Sequence, residues 1–195
     1  MEKLLLRNAK IVDGTGNPWF WGNVLIQGDR ITHVLDVTSF PKDRKYKKGK
    51  DGDDDLIRNC YVIDLDGKML APGFIDIHSH SDDTILINPL AESKIRQGIT
   101  TEVIGNCGYS LAPLVGFAKD SVERDLLAYK IAPCWLTFKE YLQYILNNGT
   151  AVNIAALVGH GTIRQAVIGP WQRKPSLKEL AYMKDLLSQA MDEGA

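Results

Sequence analysis

Cysteine is scarce in this chain, three among 195 residues, and three cannot all pair with one another. That excludes a small secreted scaffold stapled by disulfides. Long apolar runs are also missing, since no stretch approaches the ~20 residues needed to span a bilayer. The start, Met1-Glu2-Lys3-Leu4-Leu5-Leu6-Arg7, lacks the extended apolar core of a signal peptide, so a cytoplasmic location is the expectation. Nor is there an excess of charge of one sign. Twenty-three Lys and Arg stand against 24 Asp and Glu, a net charge of −1, and the basic surplus that a nucleic-acid partner requires is absent. Lys42, Arg44, Lys45, Lys47, Lys48 and Lys50 do cluster, but Asp51, Asp53, Asp54 and Asp55 follow at once. No series of aromatic stacking residues accompanies these charges, and residues 41–55 read as a solvated loop. Neither nucleic acid nor a membrane is an expected partner.

What the chain does have is enough apolar residue, 45%, to bury a core, and one dense motif. Pro72-Gly73-Phe74-Ile75-Asp76-Ile77-His78-Ser79-His80 opens on a Pro-Gly break and continues as a short apolar run, which predicts a buried strand over 73–80. Alternation along a strand places Asp76, His78 and His80 on one face. Two imidazoles two residues apart can share one divalent ion.

Downstream, Asn88-Pro89 and Gly98 carry the cap, first-turn proline and stop signal of a helix. Ile99 to Gly105 is then β-branched and reads as a second strand. Strand, helix and strand over about thirty residues form a βαβ unit, whose right-handed crossover makes the strands parallel. Their ends share one sheet edge, so Cys107, just past the second strand, falls beside His80. A thiolate next to two imidazoles is a zinc-like donor set.

Gly-Phe-Ile-Asp-x-His-x-His resembles the first barrel strand of the amidohydrolase superfamily. Together with His78-Ser79-His80-Ser81-Asp82, Ala91 through Thr101, Gly105-Asn106-Cys107-Gly108 and Val158 through Arg164, it is similar to the N-acyl-D-amino-acid deacylases, the D-aminoacylase family. The resemblance implies zinc as cofactor, with His78, His80 and Cys107 as ligands. It implies a small-molecule N-acyl-amino-acid substrate, hydrolysed to a carboxylic acid and a D-amino acid. It also implies two further histidine ligands and an acid–base aspartate on later strands, so no catalytic residue is expected before residue 195 and the isolated chain is expected to be inactive. A cyclic-amide hydrolase of the same superfamily is the neighbouring alternative, which Cys107 disfavours. A truncated product that binds metal or associates without catalysis is the alternative of another class.

The expected fold is α/β. A small β-sandwich segment over 1–70 precedes the opening of a metal-dependent-hydrolase TIM barrel over 71–195, about three βα units. A full barrel needs about 250 residues, and the candidate barrel strands are 73–80, 100–106 and 153–160. Exposed barrel edges would then favour self-association. Leu4 to Val12 reads as a strand, 23–34 as a hairpin with Gly28-Asp29 at its tip, and 61–70 as a second short pair around Asp66-Gly67. Asp13-Gly14-Thr15-Gly16 reads as a turn. Residues 109–150 form a helical insertion, with helices over 117–130 and 136–147, and Tyr129, Trp135, Phe138 and Tyr144 as packing residues. A last helix runs from Ser176 to Met191. Cys60 and Cys134 are expected to pack as reduced thiols. Asp76 and Asn106 are candidates for supporting the ligands, and His160 and Arg164, at the end of the third strand and the turn beyond, for substrate contact.

Overall fold

The computed structural model describes residues 3–36 and 59–195. The charged stretch 41–55 lies outside the described residues. The chain divides into two compact units, residues 1–72 and 73–195.

The first unit is a mixed sheet. Strands β1 (Lys3–Ile11), β2 (Phe20–Gln27), β3 (Arg30–Asp36) and β4 (Cys60–Asp64) lie in the order β3-β2-β1-β4, and β5 (Met69–Leu70) also pairs with β1. The β2–β3 hairpin turns at Gly28-Asp29 as expected, and Asp13 closes the turn after β1 by accepting from the amide and hydroxyl of Thr15. The second expected hairpin does not form. Asp66 and Gly67 do turn, both with positive φ, but β4 and β5 each run parallel to β1 instead of pairing with each other. A parallel partner was available in β1, whose length serves both short strands end to end. Ala9, Ile11 and Val24 form the buried centre, flanked by Leu6, Phe20, Ile26, Leu65 and Leu70.

The second unit is built on a parallel sheet of β6 (Phe74–Asp76), β7 (Ile99–Ile104) and β8 (Asn153–Ala156), in the order β6-β7-β8. Two one-turn helices, α1 (Thr84–Ile87) and α2 (Glu92–Ile95), connect β6 to β7. The single longer helix expected from Asn88 is not there. Asn88 closes α1 by donating its amide to the carbonyl of Thr84, and Ala91, at φ +42, separates the two turns. Gly98 ends the segment at φ +81, the left-handed conformation that glycine adopts without cost.

Between β7 and β8 lie α3 (Gly116–Leu127) and α4 (Phe138–Asn148), close to their expected bounds. After β8 come α5 (His160–Ile168) and α6 (Leu177–Asp192). Both α4 and α6 start in a capping box, Thr137 with Glu140 and Ser176 with Glu179, which satisfies amides that the first helical turn leaves free. Trp135, Phe138 and Tyr141 fill the main core with Ile104, Leu111 and Leu126, and Tyr144 packs against it. Tyr129 and Cys134, expected to pack, are exposed instead, while Trp135 alone of the 128–136 link enters the core fully. Among the described residues no helix is long and apolar enough to cross a membrane.

Candidate metal centre

Strand β6 stops at Asp76, so the expected run to His80 is cut short and both histidines stand in the loop that leaves the sheet. The alternation argument therefore fails past Asp76. Asp76 and Ser79, three residues apart, both reach the same ammonium of Lys94, at 2.7 and 3.2 Å. A continuous strand would send them to opposite faces.

The three candidate ligands nevertheless converge. One ligand atom from each of His78, His80 and Cys107 lies within 4.8 Å of the other two. His78 Nε2 stands 3.3 Å from Cys107 Sγ, and the two imidazole centroids are 5.3 Å apart. With Zn–S near 2.3 Å and Zn–N near 2.0–2.1 Å, two ligands of a tetrahedral ion are separated by about 3.5 Å. The histidine–cysteine spacing fits that value, and all three groups are solvent-accessible.

The loop after β7 is shaped to present the thiol. Gly105, Cys107 and Gly108 all have positive φ, +80, +55 and +79. A side chain at Gly105 would run into the carbonyl of Leu157. The amide of Gly105 donates to Asp82 Oδ1 at 2.9 Å. Burial pushes the Asp82 carboxyl up to about 6, against the hydrogen bonds that favour its charge. The N-terminus of α5 clasps the same loop. Thr162 donates its amide to the carbonyl of Gly108, and its hydroxyl accepts from the amide of Ser110. Gly159 is required there, since a Cβ would come within 2.5 Å of the Gly108 carbonyl oxygen.

The supporting candidates have other partners than the sequence suggests. Asp76 touches the backbone of a ligand, not its ring: Oδ1 accepts from the amide of His78 at 3.3 Å while Oδ2 accepts from Lys94. Lys94 and the His78 amide together hold its carboxyl below the usual range. Asn106 faces inward and donates to the carbonyls of Ser79 and Val103. His160 does not end a strand. It begins α5, is exposed, and is not a member of the three-ligand group. Arg164, also expected beyond the strand, is in α5, where Nη2 donates to the carbonyls of Trp171 and Arg173 and ties down the α5–α6 connection. β8 ends at Ala156, short of the expected residue 160, and beyond it Gly159 donates its amide to Ser110 Oγ.

Four residues at the site escaped the sequence reading: Ser79, Asp82, Lys94 and Glu102. The signal for Glu102 was present, as the lone charge in the apolar and β-branched run Ile99 to Ile104. It is completely buried.

The amidohydrolase family matches residues 61–185. The chain belongs to that family. It is 35% identical over 192 residues to D-aminoacylase of Alcaligenes xylosoxydans xylosoxydans, covering 98% of this chain and 36% of that protein. Against N-acyl-D-aspartate deacylase of the same organism it is 36% identical over 193 residues, covering 98% and 35%. The chain thus spans about a third of the length of these curated relatives. Its α/β fold matches N-acyl-D-glutamate deacylase from Bordetella bronchiseptica, with a TM-score of 0.75 at 28% identity over 97% of this chain and 36% of that one. That amidohydrolase was solved with zinc and a phosphonate mimic of the tetrahedral intermediate.

Proposed function

We propose that this chain is the metal-holding amino-terminal portion of a hydrolase that cleaves N-acyl-D-amino acids into a carboxylic acid and a D-amino acid. The observation that carries the reading is the convergence of His78, His80 and Cys107 at the ends of adjacent parallel strands. It is supported by similarity, along nearly the whole chain, to deacylases of this substrate class. The three residues would hold zinc. When bound there, the ion supplies Lewis-acid polarisation of the scissile carbonyl and acidifies a coordinated water.

The chain's own contribution is to hold the thiol and imidazoles close together before the ion arrives, through the glycine-rich turn at 105–108 and the Asp82 bond to it. The proton-transferring carboxylate belongs to the remaining portion of such an enzyme. The parallel β6-β7-β8 sheet with its connecting helices supports the reading as the first units of a (β/α)8 barrel, and the sheet of the first unit as part of a β-sandwich that precedes it in the chain. Phe74, Ile75 and Ile77 are each more than half exposed. Strands of parallel sheets are normally covered on both faces, so the exposure of Phe74 and Ile75 in β6 supports further structure packed against this sheet.

A substrate panel on the full-length gene product tests the function. Zinc-dependent release of free amino acid from N-acetyl-D-amino acids, with little from L-enantiomers or cyclic amides, is the expected result. Preference for a cyclic amide would overturn the linear-substrate reading.

A further inference from the structure

Lys94 is, among the described residues, the cation set among the groups that hold the histidine loop in place. Its ammonium donates to Asp76 Oδ2 at 2.7 Å and Ser79 Oγ at 3.2 Å, and lies 3.7 Å from Glu102 Oε2. Asp76 in turn accepts from the amide of His78. Lys94 is thus tied to residues on both sides of His78. Glu102 grips the same loop from below. It is cross-strand neighbour to Asp76, is fully buried, and accepts from the hydroxyl of Ser79 at 2.7 Å. Ser79, the residue between the two histidines, is also held through its amide to the carbonyl of Val103 and through its carbonyl by Asn106.

A buried carboxylate is expensive without partners. The second oxygen of Glu102 has none among the described residues, so its charge is met by Ser79 and Lys94 alone. A stable fold could place an apolar residue at this strand position, and the glutamate adds nothing to the apolar core. What it does add is a fixed anchor 2.7 Å from the side chain of Ser79.

We propose that Lys94 and Glu102 are positioning residues that fix the His78-Ser79-His80 segment for metal capture, though neither belongs to the ligand set. This rests on the metal reading of the site. Its physical content is that the cost of ordering the loop falls on folding and not on metal binding. Residues that orient metal ligands typically change affinity by about 10- to 100-fold when removed.

The test is a Co²⁺ titration of the purified chain, followed by the thiolate-to-cobalt charge-transfer band, for wild type, Ser79→Ala, Lys94→Met, Lys94→Arg and Thr137→Ala. Thr137→Ala removes the cap of α4 and serves as a control for general destabilisation. Ser79→Ala and Lys94→Met should weaken Co²⁺ binding about 10- to 100-fold and change the shape of the band. Lys94→Arg should recover most of the loss. Thr137→Ala should lower the thermal midpoint and leave Co²⁺ affinity unchanged. A wild-type band with equal affinity in Ser79→Ala and Lys94→Met would overturn the positioning role alone, as would a Thr137→Ala loss as large as theirs. A wild-type chain with no thiolate band would overturn the metal site, and this inference with it.

Discussion

Gly105 shows how much the thiol's placement depends on a residue with no side chain. It must adopt φ +80 and leave room for the Leu157 carbonyl, and its amide answers the buried Asp82. Alanine there meets both a backbone penalty and a steric one. Gly105→Ala should cost more than about 2 kcal/mol in chemical denaturation, with loss of metal binding at Cys107. An unchanged midpoint would show that the turn is not constrained as described. Arg164 illustrates the opposite case. Its guanidinium suits a substrate carboxylate, but one of its nitrogens serves the carbonyls of Trp171 and Arg173.

At the scale of elements, α6 provides a pH-dependent prediction. The Arg173 guanidinium, then the amide and hydroxyl of Ser176, hold the Glu179 carboxyl far below the ordinary carboxylate range. A depressed pKa means that the unfolded chain takes up protons first as pH falls. The stabilisation is therefore complete well above 4.5, the ordinary value, and is lost on acidification below it. Thermal midpoints of wild type and Glu179→Gln should differ most at neutral pH and converge in acid. A difference that grows on acidification would contradict the assignment. The helices α4 and α6 were legible because their caps and periodicity are local signals, and α3, which has no side-chain cap, through its periodicity alone. Their ends in the structure fall within a few residues of expectation. The β6–β7 connection was not legible, because Asn88 and Pro89 carry a helix-start signature that the chain uses to close α1 instead. β4 and β5 were misread for a different reason. A turn residue fixes where a chain bends, not which strand the two arms meet, and β1 outcompeted the local hairpin.

For the whole molecule, the candidate site was legible because parallel topology brings strand ends together whatever the detail of the strands. His78 and Cys107 meet although β6 ends before either histidine. The residues that support them were not legible. Lys94 sits in a short polar turn where a lysine ordinarily faces solvent, and only the folded sheet brings it to Asp76 and Glu102. The resemblance drawn from the motifs holds along nearly the full chain, which spans about a third of its relatives.

The measurement that bears most directly on the metal centre is X-ray absorption at the zinc edge of the zinc-loaded chain, alongside Cys107→Ala. The wild-type spectrum should contain one sulfur neighbour at about 2.3 Å together with nitrogen neighbours near 2.0 Å, and the sulfur shell should vanish in the variant. A first shell of nitrogen and oxygen only, identical in both proteins, would contradict the assignment of Cys107, His78 and His80 as one metal site.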